Sequence, residues 1–126
     1  MEKMLMVVGR IIYALPFLAF GFGHLTNATN MGGMVPAFIP GGVFWIYFTG
    51  VAMVLAALAI ITGIQGRTAC FGLALMLTVF IVTIHLPGMG NPATKMMSMM
   101  GLFKDLGLLG AALVIATTFP AKHSKK

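Results

Sequence analysis

Four apolar runs, each near the length that crosses a bilayer, dictate what this chain can become. The second, Val43 to Ile64, is the purest, with Ile, Val, Leu, Ala and Met filling most of it after the Gly41-Gly42 break. A spanning helix needs about 20 mostly apolar residues. The other runs, about residues 4–22, 68–86 and 102–119, meet or approach that length. Inside lipid every backbone N–H and C=O must be satisfied within the segment, which makes each run a helix. Four spans and their connections use up 126 residues, so the expectation is one domain: an all-α, integral membrane four-helix bundle.

Charge supports that reading by its scarcity. Charged residues make up 8% of the chain, whereas a soluble domain carries roughly 25%. A soluble enzyme, a disordered tail and a nucleic-acid binder are excluded together, despite the net charge of +6. Cys70 is the single cysteine, so the chain offers no internal disulfide, no CxxC redox pair and no zinc-type ligand spacing. The first run is too long for a secretory signal and carries Arg10, so it reads as a retained span.

The positive charges set an expected orientation. With four spans both termini share a side, and Lys3, Arg67, Lys122, Lys125 and Lys126 lie there, against Lys95 alone opposite. The positive-inside rule makes both termini cytoplasmic, and the basic tail can rest on anionic headgroups.

Steps of three and four along each run pick out faces. In the first they join Arg10, Tyr13, Ala14, Phe17, Gly21 and His24. In the second they join Thr49, Ala52, Ala56, Ala59 and Gly63; in the third, Cys70, Ala74, Thr78, Ile81 and His85. In the fourth, Asp105, Ala112 and Ala116 align, with Gly101 a turn above. Small residues let helices approach closely in a bilayer, so these are the expected internal faces.

Polar groups on those faces are the candidates for function, because an ionisable side chain in a span is costly and turns inward or pairs. Arg10 either snorkels to the headgroups or sits as a fixed positive charge under a cavity, where Tyr13 adds a hydroxyl. Asp105 either complements its helix N-terminus, pairs with Arg10 or Lys104, or takes part in function. His24 and His85 end the first and third runs at the depth of Asp105. Each serves simply as an interfacial histidine, or the three together form a weak candidate for a metal site or proton relay. Seven outer-side methionines, among them Met34, Met89, Met96 and Met100, could ligate Cu(I). Methionine as flexible apolar filler is the favoured reading, and copper is not expected. Trp45 and Tyr47 fit an aromatic belt.

The string Pro16-Phe17-Leu18-Ala19-Phe20-Gly21-Phe22-Gly23-His24, then Met34-Val35-Pro36 and Ile39-Pro40-Gly41-Gly42, resembles the opening half of DoxX-family membrane proteins. Phe44-Trp45-Ile46-Tyr47-Phe48-Thr49-Gly50 is similar to that family's entry into its second helix. Ile84-His85-Leu86-Pro87 and Phe103-Lys104-Asp105-Leu106-Gly107-Leu108-Leu109-Gly110 resemble the ends of its third and fourth helix motifs. One departure is visible: many relatives have a Glu soon after the Thr-Gly of the second helix, where this chain has Val51, Ala52 and Met53. The resemblance implies a four-helix bundle, in a bacterial inner membrane, related to subunits linked to quinol oxidase and thiosulfate:quinone chemistry. It carries over no catalytic set; Arg10, His24, His85, Lys104 and Asp105 match as motif residues only.

Two functions follow as expectations. The chain is a non-catalytic accessory subunit of a larger, respiratory-type membrane complex, packing against other subunits or itself. Alternatively it is a quinone-binding subunit of an oxidoreductase system, with Arg10, Tyr13, His24, His85, Lys104 and Asp105 as the ligand candidates. The sequence contains no self-contained catalytic motif, so in the second reading electrons come from a partner.

Overall fold

The structure, a computed structural model, describes residues 1–31 and 40–120. The Met34-Val35-Pro36 stretch and the basic tail Lys122 to Lys126, both used above, lie outside them. Among the described residues the chain is all-helical, and four helices are long and apolar enough to cross a membrane: α1 (Glu2–Thr26), α3 (Val43–Thr62), α4 (Gly66–Gly88) and α5 (Lys95–Ala116). A single turn, α2 (Ala28–Met31), follows α1.

Local chemistry sets the ends. α1 runs through Pro16 and stops at Thr26, whose hydroxyl donates back to the Phe22 carbonyl at 2.9 Å. α3 ends at Gly63, which takes φ 83° and returns its N–H to the Ala59 carbonyl, a left-handed cap that glycine adopts without steric cost. α4 is α-helical to Phe80, passes through a π turn at Ile81–His85, and closes with Leu86–Gly88. There the Leu86 N–H reaches five residues back to the Ile81 carbonyl. Pro87 has no N–H and its ring crowds the preceding turn, and the wider π turn lies where that strain falls.

The boundaries differ most in the last helix, which begins at Lys95 and not near Leu102. The run Met96-Met97-Ser98-Met99-Met100 reads as the end of the loop that follows Pro87, but methionine is a strong helix former. The break falls earlier, at Asn91-Pro92, where the Asn91 side chain accepts from the Ala93 N–H at 2.9 Å. The methionines therefore stand on the first turns of α5.

α1 packs on α3, α3 on α4 and α4 on α5, while α1 and α5 have little close backbone approach. Long polar side chains bridge that last seam: Tyr13 Oη donates to the Leu108 carbonyl at 2.6 Å, and Arg10 reaches Thr118. The expected faces of α1, α4 and α5 are internal, with Tyr13, Ala14, Phe17 and Gly21, then Cys70 and Ala74, then Asp105, Ala112 and Ala116 all buried. Thr78 is the exception on α4 and is exposed.

The face of α3 is a correction. Its buried line is Ile46, Gly50, Met53, Ala57 and Ile60, one residue round from the small-residue stripe expected at Thr49, Ala52, Ala56 and Ala59. The crossing with α1 sets this rotation. A methyl on Gly50 would lie 2.8 Å from His24 Cβ, and one on Gly21 would lie 2.9 Å from the Gly50 carbonyl oxygen. With Gly50 fixed against α1, the helical period brings Met53, Ala57 and Ile60 inward, and the larger side chains fill the space between helices.

The outward faces are apolar. Leu5, Ile12, Phe22, Phe44, Leu55, Leu75, Val82, Phe103 and Val114 are all exposed on the isolated bundle. Soluble monomers do not show apolar surface on this scale, and the bundle fits a multi-pass membrane protein.

Candidate functional site

Asp105 is the centre of a cluster of ionisable side chains inside the described bundle. It is 3% exposed, and a carboxylate so placed in an apolar interior needs partners. His85 supplies one, with Nε2 2.7 Å from Asp105 Oδ2. Lys104 supplies the second, its Nζ lying 3.7 Å from Oδ1 and 5.0 Å from the centre of the Phe20 ring across the α1–α5 seam.

Local backbone makes this possible. The π turn carries His85 at its end, and such single-turn bulges are frequent at functional sites. The imidazole lies on Gly101 of α5, where any side chain would collide with it. The contact joins the two side chains through one proton between Nε2 of His85 and Oδ2 of Asp105.

Beside this pair is a cavity of about 370 Å³ in the half of the bundle away from the N-terminus, where α1, α3, α4 and α5 meet. Its wall is aromatic and aliphatic, including Phe17, Phe20, Trp45, Met53, Phe80 and Leu108. Its polar lining comes from His24, Thr49, Thr83, His85, Lys104 and Asp105. An apolar enclosure with a few convergent polar groups is the usual form of a small-molecule site, for which volumes run about 300–1,000 Å³.

The sequence-derived candidates divide at this point. His24, His85, Lys104 and Asp105 all line the cavity. Tyr13 lies below it, buried against Phe17 with ring centres 5.1 Å apart and its hydroxyl committed to Leu108. Arg10 is elsewhere and does not pair with Asp105. At the other end of the bundle it donates to the Thr118 hydroxyl at 2.9 Å and the Thr118 carbonyl at 2.6 Å, with its guanidinium 3.7 Å over the Phe119 ring. Arg67 joins it by donating to the Ala116 and Phe119 carbonyls. Two cations thus satisfy the open carbonyls that end α5, the arrangement a helix C-terminus favours.

His24 bonds the Phe20 carbonyl of its own helix at 2.8 Å and does not join His85 and Asp105 as a third ligand. Among the described residues no three of His, Cys, Asp and Glu could hold a metal ion.

The sequence missed Phe20, Thr83 and Gly101 as site residues and assigned Trp45 only to the interface. Thr83 precedes His85 by two residues, so helical spacing places it on a different face; the π turn brings both to the cavity. Gly101 was visible as a glycine one helical turn before Asp105, but nothing in the sequence showed that His85 would lie on it.

No curated protein and no solved structure matches the chain. Its residues 13–97, which carry Tyr13, His24 and His85 and stop short of Lys104 and Asp105, match a family described as a domain of unknown function (DUF8561). The chain belongs to the DUF8561 family.

Proposed function

We propose that this chain is a multi-pass, DoxX-like protein of a bacterial inner membrane that holds a lipophilic ring compound of the quinone class in the outward half of its bundle. The cavity beside the buried His85–Asp105 pair carries this reading, because aromatic walls suit a flat ring and a buried polar cluster suits its oxygen substituents. Bound there, the ring lies within reach of the bilayer, which is where such a compound dissolves. Both termini are cytoplasmic in this reading, supported by Lys3 and Arg67 at the end of the bundle away from the cavity.

Trp45 makes the reading testable, since it is the only tryptophan and lines the cavity. Titration of the chain in nanodiscs with a short-chain quinone should quench Trp45 fluorescence to saturation. His85→Leu should shift that curve to higher concentration. Linear quenching that is the same in both proteins would reflect partitioning into lipid alone and would sink the proposal.

The second reading, a non-catalytic accessory subunit of a larger membrane complex, is favoured by a different observation. Met96, Met97, Met100 and Phe103 stand exposed on the outward half of α5, an adaptable apolar face suited to a partner helix. Purification in mild detergent decides it: a stoichiometric partner subunit supports this reading, and a lone bundle counts against it. The two are compatible, since a ligand-holding subunit still needs a partner for electron transfer.

A further inference from the structure

The end of the bundle opposite the cavity carries positive charge with almost nothing to balance it. The chain has two acidic side chains, Glu2 and Asp105, and Asp105 is buried beside His85 at the cavity end. Glu2 is thus set alone against Lys3, Arg10 and Arg67. The two arginines converge on the last turn of α5, Arg10 donating to Thr118 and Arg67 to the Ala116 and Phe119 carbonyls. Those carbonyls supply partial charge only, and neither guanidinium meets a carboxylate among the described residues. Each also has N–H donors to spare. Arg10 uses Nε and Nη2 and leaves Nη1; Arg67 uses Nη1 and leaves Nε and Nη2.

The surroundings suit a lipid headgroup. Arg67 lies in the first turn of α4, its guanidinium 5.4 Å from the centre of the Phe71 ring. Phe71 and Leu75 follow at steps of four and are exposed, so a cationic head and an apolar track share one face of the helix. A recess of about 60 Å³, lined by Gln65, Thr68 and Pro120 among others, opens beside Arg67.

We infer that Arg10 and Arg67 hold the phosphate of an anionic phospholipid, whose acyl chain lies along Phe71 and Leu75. The guanidinium fork matches phosphate oxygens in geometry, and the bond is stronger than one to a neutral acceptor. Basic recesses between spanning helices suit acidic headgroups. A zwitterionic lipid offers the same phosphate but brings a quaternary ammonium into a cluster of cations. The site therefore selects by net headgroup charge, phosphatidylglycerol over phosphatidylcholine. It is independent of the cavity and of what the cavity holds.

Lipid binding to the full chain in mild detergent is measured by native mass spectrometry, with phosphatidylglycerol and phosphatidylcholine of identical acyl chains. The parent should bind phosphatidylglycerol about fivefold more tightly or better, the scale of one such charge contact. The double substitution Arg10→Gln, Arg67→Gln should remove most of that preference, and Arg67→Lys, which keeps the charge without the fork, should show an intermediate ratio. Lys95→Gln, at the other end of the bundle, should leave the ratio intact. Thermal unfolding is followed in parallel, and the two single Gln variants carry the comparison where the double one does not fold. Equal binding of the two lipids by the parent overturns the inference. So does a preference that survives the arginine substitutions and is lost with Lys122→Gln, Lys125→Gln, Lys126→Gln, which would place the selectivity in the tail. Displacement of bound lipid by millimolar inorganic phosphate would show a site for the free anion and overturn the lipid assignment.

Discussion

Gly101 is opposite His85, and the space it leaves is the space the imidazole occupies: a methyl on Gly101 would lie 2.5 Å from Cε1 and 2.8 Å from Nδ1 of that ring. The backbone on which the ring rests is helical and cannot retreat easily, so the ring must move. Gly101→Ala should therefore displace His85 from Asp105 and weaken ligand binding about tenfold or more. Helix propensity favours Ala over Gly by roughly 1 kcal/mol, so global stability should change by less than binding does. Paired titration and thermal unfolding in detergent check this. Loss of stability with normal ligand affinity would contradict it.

The pair itself is tested by Asp105→Leu. Removing the carboxylate leaves His85 Nε2 and the Lys104 ammonium without their shared acceptor. Bonds to charged groups contribute about 1.5–3 kcal/mol, and the variant should lose roughly that much stability by denaturant unfolding in detergent. Asp105→Asn keeps an acceptor oxygen and should recover part of the loss. A variant Asp105→Leu as stable as the parent would show that the pair is not needed for folding.

At the α1–α3 crossing the limit is steric. Gly50 faces His24 Cβ and the Gly21 carbonyl, so Gly50→Ala should force the helices apart. Overpacking of this kind costs about 1–3 kcal/mol. Because His24 is the nearest neighbour, the variant should also shift the His24 ring resonances in NMR spectra. The neighbouring change Ala52→Gly, on the half-buried flank, should leave those resonances in place.

These particulars show where the sequence was sufficient. Length, hydropathy and charge gave four spans and their order, because the backbone in lipid has few options. The ends of the runs placed His85 and Asp105 at one depth, and the structure joins them. What the sequence could not give was rotation about a helix axis. On α3 nearly every residue is apolar, so no periodic contrast distinguishes the Ala52–Ala56–Ala59 line from the Gly50–Met53–Ala57 line beside it; only the fit of Gly50 against Gly21 does. The π turn is equally silent in sequence terms apart from Pro87, and it changes which residues of α4 share a face. Arg10 was ambiguous for a third reason. A charge near the end of one helix says nothing about which other helix end comes near it.

Arg10 yields the last prediction, and it contrasts with those above. Its guanidinium bonds Thr118 at both the hydroxyl and the carbonyl and covers the Phe119 ring. Arg67 serves the neighbouring carbonyls of Ala116 and Phe119. With Arg10→Met the apolar cover over Phe119 is partly retained but the charge and its donors are lost. The last turn of α5 should then fray, because two of its terminal groups lose their partner while Arg67 still holds the adjacent carbonyls. Amide hydrogen exchange should quicken at residues 114–119 and stay slow around Asp105. The local loss should be near 1 kcal/mol, since polar contacts in membrane bundles measure about 0.6–2 kcal/mol. Quinone affinity should be unchanged within twofold, because the cavity lies at the opposite end of the bundle. An Arg10 variant that lost ligand binding while keeping its helix end protected would return this residue to the site from which the geometry removes it.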